Sequence, residues 1–302
     1  MRRLLTAVGA DVVLTAFPRE DFLIAGFLAA RRMQVPFYAH MHDLWQENMP
    51  EGTSAARLAA TWEPVILQQA TRVLCMTEMM QKHYEKKYGI QTDLLPHSIH
   101  EQEYLHAPCE IQPPRLPKPT VLFVGSISPA MNLDALQVLA SASELLPQDY
   151  ELLYCTSADV ATLQRYGIHS SRLRVTYVSR TEVQRLQSEA HVLVAPLSHK
   201  NSSREEVRTV FSTKLLEYLI AGRPIVVFAP ADSYHATSAR THGWGYVVTE
   251  DNPAALAAAI VKVTTDESLA ADLVNGALQE ARSRSARYHA ERLREWVLTD
   301  TQ

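Results

Sequence analysis

Residues 210–228 read VFSTKLLEYLIAGRPIVVF, and this stretch indicates the architecture of the second half of the chain. Gly222 follows the last residue of a helical apolar pattern, where a helix C-cap needs a left-handed conformation. The IVVF run after it is typical of a parallel strand that is buried on both faces. The stretch therefore predicts a helix, a tight turn and a buried strand. The apolar pattern of the helix consists of Leu215, Leu216, Leu219 and Ile220.

The polar residues of this predicted helix lie in its first two turns. Ser212, Thr213 and Lys214 occupy the start, and either of the first two can cap it. Free N–H groups and the positive end of the helix dipole favour an anion such as a phosphate there. Glu217 lies one turn further on the same side, where a carboxylate can accept hydrogen bonds from two ribose hydroxyls. The alternative is a capped surface helix with a Lys214–Glu217 ion pair, and this stretch alone leaves both interpretations open.

The residue order K-x-x-E-Y-x-x-x-G-x-P, which begins at Lys214, resembles the donor-binding motif of GT-B glycosyltransferases. The resemblance is specifically to the retaining family 4 group. It implies that Glu217 holds the ribose of a sugar nucleotide, and that Ser212, Thr213 and Lys214 lie near the diphosphate. It also implies that the diphosphate is held without a metal or a cofactor, so the nucleotide-sugar, of the UDP or GDP type, is a substrate.

Length, charge and cysteine content limit the possible classes of protein. The 302 residues are enough for two ordinary domains, and the formal charge of -4 does not favour nucleic acid as a partner. Cys75, Cys109 and Cys155 are far apart and form neither zinc spacing nor a disulfide framework. We expect no secretory signal, because Asp11 interrupts the early apolar residues, and no run of about 18 apolar residues occurs. These features predict a cytoplasmic protein and leave a peripheral membrane location open.

The first hundred residues alternate between strand and helix patterns. Residues 12–17 predict a strand, 22–33 a helix and 37–43 a second strand, so the pattern is β–α–β with a parallel sheet. A helix over 55–70, interrupted or kinked near Pro64, precedes two further strands. The predicted fold class is α/β, with two Rossmann-like domains in the GT-B arrangement and an incomplete N-terminal domain of about four strands.

A second candidate site follows the strand at 37–43. Ligands of parallel sheets bind at the carboxyl ends of the strands, where His40, His42 and Asp43 fall. A histidine there can donate to a sugar hydroxyl or shuttle a proton near neutral pH. The alternative is a loop histidine paired with Asp43. The H-D-x-x-x-E segment resembles the pattern of the same family, which implies that His42 contacts the donor sugar and is the catalytic candidate, while His40 is structural.

Proline content marks the domain boundary. Residues 107–119 contain five of the sixteen prolines and predict a linker. We therefore predict an N-terminal domain over 1–112, a nucleotide-sugar-binding domain over 113–283, and a terminal helix over 284–302. In GT-B enzymes such a helix packs back on the N-terminal domain, and the alternative is a helix that only caps the second domain. Its expected apolar side consists of Tyr288, Leu293, Trp296 and Val297.

Two segments depart from the family pattern. The strand TVLFVG ends at Gly125, which would let a phosphate or sugar approach the backbone. The family has G-R-x-x-x-x-K at this point, with two cations on the diphosphate, but Ser126 and Met131 occupy those positions here. Thr209 stands where the family places a glutamate on the donor sugar, so we expect sugar recognition to differ.

The segment 199–210 is polar and charged and predicts a mobile loop over the site. Arg204 and Arg208 lie where they could replace the missing cations, and the alternative is a solvated run of charges. We count Gly125, Ser126, Arg208 and Thr209 with the donor-binding residues of the helix start.

Two functions follow from this pattern. The first is transfer of a sugar from a nucleotide-sugar to an unknown acceptor (polysaccharide, lipid-linked or protein), with retention of configuration. The second is a catalytically decayed GT-B nucleotide-binding or scaffold subunit, which the residues at 126, 131 and 209 favour. The short first domain predicts exposed apolar surface, and therefore a partner chain or a homodimer.

Overall fold

The computed structural model describes residues 9–100, 102–103, 114–201 and 204–301. The boundary expected at residue 112 and Cys109 lie outside the described residues. The chain divides into two compact units. The first contains 1–98, 204–211 and 286–302, and the second contains 99–203 and 212–285.

Ten strands and thirteen helices are numbered here in chain order within the described part of the chain. The strands are β1 Val13–Phe17, β2 Phe37–Met41, β3 Arg72–Cys75, β4 Asp93–Leu94, β5 Thr120–Val124, β6 Glu151–Cys155, β7 Leu173–Thr176, β8 Val192–Pro196, β9 Ile225–Phe228 and β10 Tyr246–Val248. The helices are α1 Glu20–Met33, α2 Trp45–Asn48, α3 Ser54–Gln69, α4 Glu78–Tyr88, α5 Leu133–Ser143, α6 Val160–Arg165, α7 Arg180–Glu189, α8 Glu205–Thr209, α9 Lys214–Ile220, α10 Tyr234–His242, α11 Pro253–Thr265, α12 Glu267–Ser283 and α13 Ala286–Asp300.

The first unit contains a parallel sheet with its strands in sequential order, β1-β2-β3-β4. One face of this sheet packs against α1, α3 and α4 through buried side chains such as Phe17, Phe27 and Ile66. The opposite face carries Tyr38, Leu74 and Leu95 in a separate cluster. Because the strands are parallel, their carboxyl ends lie along one edge, which places the residues after β2 at the usual position for ligands.

A buried carboxylate connects three helices of the first unit. Glu63 on α3 is fully buried, and its Oε1 accepts hydrogen bonds from Lys87 Nζ (2.8 Å) and the Tyr88 hydroxyl (2.5 Å). Glu47 on α2, close in sequence to His42 and Asp43, accepts hydrogen bonds from His83 (3.0 Å) and from Lys87 (2.7 Å). Burial alone would raise the pKa of Glu47, but the hydrogen bonds from His83 and Lys87 outweigh it and lower the pKa to about 2. Glu47 therefore has a structural role here.

The C-terminal helix α13 covers the second face of the first sheet. Leu293, Trp296 and Val297 pack against the cluster that contains Tyr38. Asp300 at the end of α13 accepts hydrogen bonds from the Tyr38 hydroxyl (2.6 Å) and from Nε and Nη2 of Arg72 (2.6 and 3.0 Å). Such bidentate, charge-assisted contacts are among the stronger polar interactions in proteins. Through these hydrogen bonds, Asp300 connects the last turn of α13 to β2 and β3.

The second unit contains a six-stranded parallel sheet in the order β7-β6-β5-β8-β9-β10. This is the strand order of a doubly wound Rossmann-like sheet, with the change of direction between β5 and β8. The stretch at 210–228 forms the predicted helix, turn and strand, with Gly222 at φ 67 and every residue of β9 buried. The predicted fold class, α/β with two Rossmann-like units, is confirmed.

Of the two alternatives expected at Pro64, an interruption of α3 is wrong, because the helix runs through that residue. Two further details of the expected secondary structure are wrong. The expected loop at 199–210 contains α8, because Val207 is fully buried and draws the segment into a short helix. Tyr288 is 53% exposed, so it does not belong to the apolar side of α13. Asn252 caps the start of α11, since its Oδ1 accepts a hydrogen bond from the N–H of Ala254.

Across the described residues, no helix has both the length and the apolar character that are needed to cross a bilayer.

We predict that Asp300→Ala loosens α13. The substitution leaves Arg72 without its bidentate partner, so we expect a loss of roughly 1–3 kcal/mol in local stability. Hydrogen–deuterium exchange of residues 286–301 measures this directly, because local opening sets the exchange rate. Glu295→Gln on the same helix is the control, since that side chain is exposed. Equal protection of α13 in all three proteins would contradict the assignment.

Candidate functional site

A crevice opens in the second unit at the carboxyl ends of β5 and β8. The strand order changes direction between these two strands, and open α/β sheets bind ligands at such a point. A small cavity of about 50 Å³ lies there. Val124 and Pro196 border it at the two strand ends, and Ser212, Lys214 and His235 border it on the helical side.

Lys214 lies across the backbone of Gly125 at the end of β5. Gly125 has φ 148, a conformation that favours glycine. A Cβ built on Gly125 would fall 2.9 Å from Cδ and Cε of Lys214 and would also collide with its Nζ. The ammonium donates to Ser126 Oγ at 3.4 Å. Burial lowers the pKa of Lys214, and the negative charge of Glu217 opposes this shift. Any side chain at position 125 would therefore displace the ammonium.

The start of α9 is held by buried groups and not by a side-chain cap. The predicted cap by Ser212 or Thr213 is wrong, because Thr213 already has helical angles (φ -56, ψ -26) and no cap hydrogen bond forms. Instead the N–H of Ser212 donates to Nε2 of His235 at 3.2 Å. The hydroxyl of Tyr218 accepts from the N–H of Val124 at 2.9 Å, which ties α9 to the end of β5.

His235 is neutral in this arrangement. It is 3% exposed, and burial together with the positive charge of Arg284 lowers its pKa to about 4. Because Nε2 accepts the hydrogen bond from Ser212, the proton of the neutral ring is on Nδ1. A protonated ring could not accept this hydrogen bond. Because the lowered pKa keeps His235 neutral at neutral pH, its bond to the N–H of Ser212 at the start of α9 is retained.

Glu217 contacts α7 and not Lys214. Its Oε2 accepts a hydrogen bond from Gln187 Nε2 at 3.2 Å, and its Oε1 lies 3.6 Å from Nε of Arg180. Arg180 is 74% exposed, so this ion pair is weak. The alternative predicted from the sequence, a surface ion pair between Lys214 and Glu217, therefore does not form. Lys214 is directed to the end of β5, and Glu217 keeps its own set of partners.

The loop that follows Gly125 is ordered by amide side chains. Asn132 accepts from the N–H of Ser128 (2.8 Å) and donates to the carbonyl of Ser126 (3.1 Å). Asn201 donates to the carbonyl of Ala130 (3.1 Å), which connects this loop to the segment after β8. Neutral residues thus build the loop where the family pattern has two cations.

The second candidate site, in the first unit, is a pair of hydrogen-bonded histidines. Nε2 of His40 bonds to the carbonyl of Leu95 (3.0 Å), so it carries a proton and leaves Nδ1 as an acceptor. Nε2 of His42 lies 3.2 Å from that Nδ1 and donates to it. Burial lowers the pKa of His40 to about 4 and also lowers the pKa of His42, which Asp43 opposes. Nδ1 of His42 is consequently an acceptor in the neutral pair.

The charged residues of α8 also belong to the first unit. Arg208 pairs with Glu205 (2.6 Å), and Arg204 pairs with Glu206 (2.8 Å). Thr209 is 4% exposed, and its hydroxyl donates to the carbonyl of Glu205 (2.7 Å). Burial raises the pKa of Glu206, and Arg204 opposes this shift. Both arginines therefore have a carboxylate partner within their own helix segment.

The structure brings one group of the predicted site residues together. In the second unit, Glu217 lies one helical turn beyond a cluster of Gly125, Ser126, Ser212, Thr213 and Lys214. The first unit carries His42, Arg208 and Thr209.

Four residues that contribute to the candidate site were not among the site residues predicted from the sequence. His235 gave no distinguishing signal, because buried aromatic residues occur throughout the chain. Tyr218 is the tyrosine of the K-x-x-E-Y motif, but the sequence gave it no role. Gln187 had one: it follows Val183 at i+4, in line with the helical stripe that should be apolar. Arg180 reaches Glu217 only through the fold.

No group of three or more histidine, cysteine or acidic side chains that could hold a metal ion occurs among the described residues.

Two family profiles match the chain. The profile for group 1 glycosyl transferases matches residues 118–266, and the profile for a glycosyl transferase 4-like domain matches residues 1–95. A search of curated protein sequences finds no match.

Solved structures of similar fold cover nearly the whole chain. The Anabaena protein HepE in complex with UDP is 16% identical over 98% of this chain and 81% of its own, with a TM-score of 0.71. Sucrose-phosphate synthase from Thermosynechococcus elongatus is 16% identical over 98% and 75%, with a TM-score of 0.69. A UDP-forming α,α-trehalose-phosphate synthase from Burkholderia vietnamiensis is 12% identical over 99% and 77%, with a TM-score of 0.68.

These likenesses show a shared fold, and the profiles extend over both units of the chain. The chain belongs to the group 1, family 4-like glycosyltransferases of the GT-B fold.

Proposed function

We propose that this glycosyltransferase moves a sugar from a nucleotide-sugar of the UDP or GDP type to an acceptor hydroxyl, with retention of configuration. The observation that carries the proposal is the ammonium of Lys214 held over Gly125, with the Glu217 carboxylate one turn further along α9. A cation and an acid at this spacing match a diphosphate next to a ribose. HepE, which shares the fold, has been crystallised with UDP and with UDP-glucose.

The diphosphate is proposed to bind at the end of β5. Gly125 presents backbone without a side chain, and the Ser126 hydroxyl lies beside the ammonium of Lys214. A fixed positive charge in a half-buried site stabilises negative charge better than one in open water. Lys214 thus supports both binding of the donor and departure of the diphosphate. Ser212 and Thr213 offer hydroxyls at the same helix start.

The transfer step has a simple balance. The bond between the anomeric carbon and the phosphate oxygen breaks, and its electron pair leaves with the diphosphate. The acceptor oxygen forms its bond to the same face of the anomeric carbon, which retains the configuration. The proton of the acceptor goes to the departing phosphate oxygen. The protein supplies positioning and charge stabilisation in this step, with no covalent intermediate.

His42 is proposed to contact the donor sugar. Its Nε2 is engaged by His40, so the free acceptor Nδ1 can take a hydrogen bond from a sugar hydroxyl. The lowered pKa of His42 favours the neutral ring that this contact requires. We also propose that Arg208 supplies a second cation when its ion pair with Glu205 opens, and that Thr209 contributes to sugar recognition.

A second candidate function is a nucleotide-binding subunit without transferase activity. Ser126 and Met131 are neutral where the family pattern has two cations, and both arginines at the start and end of α8 are already paired. A leaving diphosphate with one cation instead of three is less well stabilised. This alternative predicts donor binding without turnover.

Turnover separates the two functions. The chain is incubated with UDP-, GDP- and ADP-sugars, and release of free sugar is followed by NMR. The proposed transferase should slowly hydrolyse one donor and release the anomer that retains the donor's configuration. Calorimetric binding of a donor with no release would support the second candidate, and release of the opposite anomer would contradict retention.

We predict that Lys214→Ala weakens binding of the preferred nucleoside diphosphate by roughly 10–100-fold. Hydrogen bonds to charged groups contribute about 1.5–3 kcal/mol, and each 1.4 kcal/mol is a factor of about ten in affinity. Titration calorimetry measures the effect. Lys118→Ala is the matched control, because Lys118 is exposed and precedes the opposite end of β5. Equal affinities of the two variants would remove the main support for the proposal.

We predict that His42→Ala lowers the turnover of the preferred donor by roughly 10–100-fold while the affinity for the nucleoside diphosphate stays the same. The reason is that His42 is proposed to contact the sugar and not the diphosphate. Steady-state kinetics and calorimetry on the same variant separate the two effects. The exposed His169 provides the control variant His169→Ala. A parallel loss of nucleotide affinity in His42→Ala would count against this role.

A further inference from the structure

Helix α7 buries a glutamine. It begins at Arg180 with a capping box formed by Ser179 and Glu182, and Gln187 on its inner side is 1% exposed. A buried amide is costly unless its polar atoms have hydrogen-bond partners. If α7 needed only a packing contact at this position, an apolar side chain would be less costly to bury than an amide. The group that hydrogen-bonds to the Gln187 amide therefore indicates what this residue does.

The partner of this amide is the carboxylate of Glu217. Nε2 of Gln187 donates to Oε2 at 3.2 Å. The other oxygen, Oε1, faces Nε of Arg180 at 3.6 Å, and the Arg180 side chain is 74% exposed. The two oxygens thus differ: a buried donor engages one, and a solvent-exposed side chain lies near the other.

The backbone of α7 is anchored on the same side. Arg223, in the turn after α9, is 3% exposed and donates from Nε to the carbonyl of Ser188 at 2.6 Å. This contact joins the end of α7 to the turn that follows the helix of Glu217. Gln187 and Glu217 are therefore held by elements that are tied together, and the amide is a rigid support for the carboxylate.

We propose that Gln187 is a positioning residue that fixes the Glu217 carboxylate so that Oε1 receives the ribose hydroxyls of the nucleotide. This inference rests on the proposed function. Arg180 leaves Oε1 when the ribose arrives, which its exposure allows. Without the amide of Gln187, the carboxylate can rotate, and the energy of the ribose contact is lost even though Glu217 is still present.

The test compares nucleotides with and without the ribose hydroxyls. Calorimetry gives the affinities of UDP and 2′,3′-dideoxy-UDP, and of the corresponding GDP pair, for the wild type, Gln187→Met, Glu217→Ala and the double variant. We expect the wild type to prefer the ribonucleotide by roughly tenfold or more, as for hydrogen bonds to a charged group. Gln187→Met, which keeps the side-chain length, should reduce this preference to within about twofold and leave the affinity for the dideoxy nucleotide unchanged.

The double variant shows whether the two residues act through each other. If Gln187 acts through Glu217, the double variant should lose no more preference than Glu217→Ala alone. Gln187→Asn is a second test in case Gln187→Met does not fold, because it keeps an amide that is too short to reach. Gln137→Leu is the matched control, since the Gln137 amide donates to the carbonyl of Tyr166 and not to Glu217.

The outcomes are separable. If Glu217→Ala loses the preference for ribonucleotides while Gln187→Met and Gln187→Asn keep it, the positioning role is overturned and the proposed function stands. Equal weakening of both nucleotides by the Gln187 variants also overturns it, since that result indicates a general structural defect. If the wild type shows no preference, binds neither nucleotide, or keeps its preference in Glu217→Ala, the proposed function fails, and this inference fails with it.

Discussion

The close contact between the Lys214 ammonium and the backbone of Gly125 is the constraint on which the rest of the site depends. It requires a glycine at the end of β5, because any Cβ there would meet the lysine side chain. It also requires that α9 begin at a fixed place, which the hydrogen bonds from Val124 to Tyr218 and from Ser212 to His235 ensure. A half-buried cation is thereby held at the usual ligand position of a parallel sheet.

Each unit carries polar groups whose partners are already set in the free protein. In the second unit, the oxygens of Glu217 face α7, and Lys214 faces β5. In the first unit, His40 fixes the orientation and the tautomer of His42. Such preorganisation lowers the cost of binding, because the side chains do not have to be ordered by the ligand. Preorganised partners of this kind would also help a site with few cations to hold the proposed charged donor.

Sequence patterns predicted the parallel sheets and the helix, turn and strand at 210–228, because apolar periodicity and Gly222 are local signals. They failed where tertiary contacts decide. The charged segment around Val207 forms a helix because the Val207 side chain is buried. At the start of α9, the expected side-chain cap is replaced by a hydrogen bond to His235, which lies 23 residues away in the sequence. Gln187 was visible only as a polar residue in an apolar stripe, and its partner could be identified only from the fold.

The most direct test of the account is a crystal structure of the chain with bound UDP. The account predicts a diphosphate oxygen within hydrogen-bond distance of Lys214 Nζ beside Gly125, and both ribose hydroxyls on Glu217. A nucleotide bound elsewhere, or a Glu217 side chain that points to bulk solvent in the complex, would contradict it.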